Sequence, residues 1–106
     1  MANELKSQID LKTIIQEGVT LVDFNAPWCG PCRAQEPILN EMGAQYKGRA
    51  DIATMNIDDN ADVALNLGIQ SIPTLILYKD GQEVNRFVGL QRAVTLQQAL
   101  ELALAS

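Results

Sequence analysis

The 106-residue chain is 47% hydrophobic and 20% charged, with a net charge of −5. That is an ordinary folded composition, and one domain over residues 1–106 is expected. The absence of any Lys/Arg cluster argues against nucleic-acid binding, and no apolar run reaches the roughly 18 residues of a membrane span.

Residues near 3–8 read as a short edge strand or an unformed arm. Asp10 is placed to cap a short helix, DLKTIIQE, that Gly18 stops. Val19 to Asn25, VTLVDFN, is apolar, β-branched and aromatic with one acid inside, the pattern of a strand buried on both faces. Arg33 to Tyr46 reads as helix, with Ile38, Leu39 and Met42 on one side and Pro37 kinking it. Asp51 to Ile57 is the next strand. A short helix capped by Asn60 or Asp62 follows and ends at Gly68. Thr74 to Tyr78 is a strand, and Asp80-Gly81 marks a hairpin to its partner, Glu83 to Val88. Thr95 to Gln98 matches a capping box, and Leu96, Leu100 and Leu104 recur at helical spacing. The order β-α-β-α-β-α-β-β-α predicts an α/β fold with a mixed sheet and helices on both faces.

The chemistry concentrates in NAPWCGPC, residues 25–32, which holds both cysteines. No histidine is present, so Cys–His and Ser–His pairs are excluded. Two cysteines also fall short of the four ligands of a structural zinc site, and no metal is expected. Cysteines at i and i+3 on a helix start share one face, close enough for a disulfide. The first lies at the helix N-terminus, where free N–H groups and the dipole favour a thiolate. Cys29 is therefore read as the attacking thiol and Cys32, one turn deeper, as the thiol that resolves the mixed disulfide. Pro31 suits the first turn of the helix. A CxxC that follows a buried strand and opens a helix reads as redox-active in the cytosol, where structural disulfides are rare. The cytosol is the expected location, because MANELKSQID lacks the basic start and apolar stretch of a secretory signal.

Asp23, inside VTLVDFN, admits two readings. It is a strand-end charge reaching water, or a buried acid with a raised pKa that takes the proton of Cys32. Pro73 opens a strand, where proline is tolerated without any function, and most X–Pro bonds are trans.

Trp28-Cys29-Gly30-Pro31-Cys32 after a strand ending in Asp23-Phe24, then Ile72-Pro73-Thr74, Asp80-Gly81 and Gly89, resembles the thioredoxin family. The resemblance covers nearly the whole chain, with matching order and spacing. It implies the thioredoxin fold, a central mixed sheet of four to five strands flanked by about four helices. It implies that Cys29 is the nucleophile, Cys32 the resolving thiol of a reversible Cys29–Cys32 disulfide, and Asp23 the acid assisting Cys32. Pro73 would be cis, and the Ile72 backbone would pair with an extended substrate segment. Trp28, Gly30, Pro31, Ile72, Pro73, Thr74, Gly89 and Leu90 would form the docking surface. No cofactor would be bound. Electrons would come from a thioredoxin reductase, typically an NADPH-dependent flavoprotein, and pass to disulfide-containing proteins. A monomer is expected.

Four positions depart from the family pattern. Asn25 replaces the usual Trp, and Thr54 stands where a lysine commonly faces the buried acid. Gln35 and Glu36 stand where apolar or small residues are usual. Losing the lysine predicts an Asp23 that is hard to ionise. Gly-Pro between the cysteines resembles the reducing members of the superfamily. A general protein-disulfide reductase is the leading expectation; a carrier specialised for one reductase or few targets, and a non-catalytic binding module, are the alternatives.

Overall fold

The computed structural model describes residues 2–106. In chain order the elements are β1 (Asn3–Leu5), α1 (Gln8–Ile15), β2 (Val19–Asn25), α2 (Gly30–Gln45), β3 (Asp51–Asn56), α3 (Ala61–Asn66), β4 (Thr74–Lys79), β5 (Gln82–Val88) and α4 (Ala93–Ala105). They build a five-stranded sheet in the order β1-β3-β2-β4-β5. Strands β1, β3 and β2 run parallel, whereas β4 is antiparallel to β2 and β5 is antiparallel to β4. This is the mixed sheet and α/β class that the element order predicts.

The period of two along β2 divides its side chains between two apolar clusters. Val19 and Leu21 join Leu39, Met42, Leu96 and Leu100, which puts α2 and α4 on one face. Val22 and Phe24 join Leu11 and Val63, which puts α1 and α3 on the other. Both faces are covered, so β2 is buried from Val19 to Phe24, the reason its sequence reads as a near-continuous apolar run. Among the described residues no helix is long and apolar enough to cross a membrane.

Several local expectations shift. The segment near residue 3 is a strand, not an arm, and Asn3 to Leu5 pair with Ala53 to Met55. Ser7, not Asp10, caps α1: its hydroxyl accepts from the Asp10 N–H at 3.2 Å, and the Asp10 carboxylate accepts from the Lys6 N–H at 2.9 Å. Asn60 occupies the cap position of α3, yet its side chain donates to the Asn56 carbonyl rather than capping. The box at Thr95 to Gln98 lies inside α4, which begins at Ala93 behind Arg92 without a side-chain cap. Leu104 is only half-buried but packs against the core, and Ala103, three residues past Leu100, is buried in it as well. Helix α2 starts at Gly30 and includes Pro37. The Asp80-Gly81 hairpin is as read, with positive φ at both residues, 49° and 85°, as a type I′ turn requires.

The register fixes where chemistry can gather. Asn25 at the end of β2 pairs with Asn56 at the end of β3, and Phe24 pairs with Thr74 at the start of β4. The loop carrying Cys29 and the turn carrying Pro73 therefore meet at one end of the sheet.

Candidate active site

Cys29 is the N-cap of α2, and its Sγ accepts from the Cys32 N–H at 3.2 Å. The sulfur thus receives one of the N–H groups that a helix start leaves unpaired. Cys29 and Cys32 form a disulfide across a Cα–Cα distance of 5.2 Å. Both are 5% exposed and pack with Ala26, Ile57 and Ile72. Their neighbours Gly30 and Pro31 are exposed.

Cys29 Sγ lies 3.8 Å from the Ile72 carbonyl oxygen. The Ile72–Pro73 peptide is cis, as the family resemblance implies and against the general frequency of X–Pro bonds. Gly89 joins the same turn: its N–H donates to the Pro73 carbonyl at 2.8 Å. Leu90, beside it, is 50% exposed, and Trp28 is 67% exposed. Pro73 and Thr74 lie beneath this surface, and the Thr74 hydroxyl donates to the Ser71 carbonyl at 2.6 Å. Thr74 therefore shapes the turn from below.

Asp23 is 1% exposed, so it is a buried acid and not a strand-end charge reaching water. It sits on the α2 face, paired in the ladders with Thr54 and Leu75. Its Oδ2 accepts from Asn25 Nδ2 at 3.2 Å, while Oδ1 has no partner among the described residues. Burial raises the Asp23 pKa to about 7; the Asn25 hydrogen bond pulls it down, and the Glu36 carboxylate pushes it up. Asp23, Asn25, Cys32, Arg33, Glu36 and Thr54 line one cleft of about 430 Å³. The acid and the deeper thiol thus share a polar space open to solvent.

Two participants carry no mark in the sequence. Asp58 accepts from the Trp28 indole N–H at 2.9 Å. Parallel pairing of Asn25 with Asn56 brings the segments after both strands together, so the β2–β3 register is the signal that locates it. Gln91 is bound by the buried Gln35 amide, a contact only the tertiary fold creates. Among the described residues, no group of three or more Cys, Asp or Glu could hold a metal ion.

Known proteins place this arrangement. The thioredoxin family model matches residues 3–102. A thioredoxin from Staphylococcus aureus is 45% identical over 92 residues, covering 87% of this chain and 88% of that protein. A mutant thioredoxin from Halobacterium salinarum superposes with a TM-score of 0.90 at 33% identity, over 96% of this chain and 89% of that one. A Plasmodium falciparum thioredoxin gives a TM-score of 0.85 at 29% identity, over 95% and 98% of the two chains. Since the matched span takes in the disulfide, the buried acid and the cis-proline turn, the chain belongs to the thioredoxin family, protein-disulfide oxidoreductases that act on disulfide substrates and depend on a reductase.

Proposed function

We propose that the chain reduces protein disulfides by a two-step exchange in which Cys29 attacks and Cys32 resolves. The observation that carries this reading is the place of Cys29 at the cap of α2, with the Cys32 N–H directed at its sulfur. In the reduced protein that N–H and the helix dipole stabilise a Cys29 thiolate. The thiolate attacks one sulfur of the substrate disulfide. A Cys29–substrate S–S bond forms, the substrate S–S bond breaks, and the leaving sulfur takes up a proton. Cys32 then gives its proton to the Asp23 carboxylate, directly or through water in the shared cleft. The Cys32 thiolate attacks Cys29 Sγ, the Cys29–substrate S–S bond breaks, the leaving sulfur takes up a proton from Asp23 or water, and the substrate leaves as a dithiol. Two electrons have passed to the substrate, and the Cys29–Cys32 disulfide remains.

Trp28, Gly30, Pro31, Ile72, Gly89 and Leu90 form the docking face in this proposal, with Pro73 and Thr74 holding the turn below. An extended substrate segment adds to the Ile72 backbone as a short strand. No cofactor is bound by the chain. A flavoprotein reductase using NADPH returns the two electrons, and the protein works as a cytoplasmic monomer. An Asp23 pKa near 7 supports its role, since a group poised near the working pH both accepts and returns a proton.

Trapping tests the assignment. Incubating Cys32→Ser with a disulfide-bonded protein and mapping the adduct by mass spectrometry should place the substrate on Cys29. An adduct formed on Cys32 in Cys29→Ser, with none on Cys29 in Cys32→Ser, would reverse the roles.

A further inference from the structure

Residues 89–92 lie between β5 and α4 without regular secondary structure. They nevertheless carry Gly89 and Leu90, the part of the docking face contributed by the end of the chain. Gly89 is held by a backbone bond to Pro73, and Gln91 by Gln35, three residues past Cys32 on α2 and 0% exposed. Its Nε2 donates to the Gln91 carbonyl at 3.0 Å, and its Oε1 accepts from the Gln91 N–H at 2.7 Å. One buried amide thus satisfies both backbone groups of one loop residue.

The contacts continue from there. The Gln91 side chain donates to the Val88 and Gly89 carbonyls at 3.3 and 3.1 Å. Gly89 has φ +91° and donates to the Pro73 carbonyl at 2.8 Å. The residue before that proline, Ile72, packs against the dithiol, with its carbonyl oxygen 3.8 Å from Cys29 Sγ. The circuit runs from the dithiol helix through Gln91 and Gly89 to the proline turn and back to Cys29. A leucine would fill the Gln35 site with no polar group to satisfy. A buried amide is tolerated only when its donors and acceptor are paired, and here the pairing is spent on Gln91.

We propose that Gln35 is a positioning residue for substrate recognition: it locks the Gly89–Gln91 segment onto the dithiol helix, so that Leu90 and Gly89 meet a protein substrate already in place. The inference rests on the reading of Cys29 as nucleophile and of this face as the docking surface. It separates two kinds of substrate. A protein disulfide uses the whole face, whereas a small disulfide that reaches only Cys29 does not.

The probes are insulin, a protein disulfide, and hydroxyethyl disulfide, a small one, each assayed with the full chain recycled by dithiothreitol. Gln35→Met keeps the volume and removes both hydrogen bonds. It should raise the KM for insulin about five-fold, equivalent to about 1 kcal/mol, with kcat and hydroxyethyl disulfide reduction unchanged. Gln35→Glu refines the test, because a protonated carboxyl accepts and donates as the amide does. Its insulin-to-hydroxyethyl disulfide ratio should match the parent at low pH and fall as the carboxyl ionises, because the carboxylate still accepts from the Gln91 N–H but no longer donates to the Gln91 carbonyl.

Equal losses on both probes would place the effect at the dithiol and overturn the proposal. An unchanged insulin KM would overturn it as well. Should the variants not fold, amide exchange in the unaltered protein still decides. The Gln91 N–H should exchange at least about ten-fold more slowly than an unstructured amide, and exchange at the unstructured rate would refute the lock. Failure of the underlying reading looks different: the parent protein would then accelerate the reduction of neither probe above dithiothreitol alone.

Discussion

Asp23 carries the largest electrostatic burden of any single residue in the site. Its strand buries it, Asn25 supplies its one side-chain hydrogen bond, and Glu36 opposes its charge. Because its folded pKa is raised, the folded state holds a proton that the unfolded state releases, and stability falls as pH rises. The window runs from the ordinary value, 3.8, to about 7; the loss across it is about 4 kcal/mol at about 1.4 kcal/mol per pH unit. Asp23→Asn should therefore stabilise the oxidised protein by up to about 4 kcal/mol at pH 9 and by little at pH 4. Urea unfolding at the two pH values checks this; equal gains at both would contradict it. The neighbours should pull in opposite directions. Carboxyl NMR should find the Asp23 pKa lowered in Glu36→Gln and raised in Asn25→Ala, and shifts of the same sign would contradict these roles. Part of this was legible. An acid inside a strand covered on both faces has few ways to reach water, and Thr54 in place of a lysine leaves it without a cation. The Asn25 hydrogen bond was not legible, because it depends on a side-chain geometry that no spacing reveals.

The elements position the site by register and by packing. Helix α4 stays in place because Leu96 and Leu100, 1% and 0% exposed, fill the sheet face beside Leu39 and Met42 of α2. Its far end is tied to the end of α2 by Glu101, which accepts from the Tyr46 hydroxyl at 2.8 Å and pairs with Arg49 at 2.9 Å. That exposed ion pair contributes little, so the apolar contacts dominate. Leu100→Ala should cost about 2–5 kcal/mol, read by denaturant unfolding; a loss below about 1 kcal/mol would show that α4 is not fixed by this contact. Strands and helices were readable in the sequence because burial on two faces and helical spacing leave opposite patterns. The Asp80-Gly81 turn was readable because positive φ demands those residue types. Helix starts were less so. Ser7 and Asp10 both have side chains able to cap, and Asp10 loses because its carboxylate reaches back to Lys6. At α4 the helix begins at Ala93 without a capping side chain, so the Thr95 pattern falls inside the helix.

At the scale of the whole molecule, function depends on two distant segments meeting at one end of the sheet. Residues 29–32 and 72–73 lie far apart in sequence, and antiparallel pairing of β2 with β4 brings them together. Their shared presence in the family motif made the pairing an expectation; the periodicity of either segment alone could not. The surroundings of Trp28 and Gly89 escaped a purely local reading for the same reason, since Asp58 and Gln91 reach them only through tertiary contacts. Everything rests on the dithiol donating electrons to protein disulfides. The most direct test is a redox titration of Cys29–Cys32 in a thiol–disulfide buffer, followed by the fluorescence of Trp28, the only tryptophan in the chain. One reversible two-electron transition is expected, more reducing than the glutathione pool at about −220 to −260 mV. A potential above about −200 mV, or no reversible transition, would contradict the proposed electron donation.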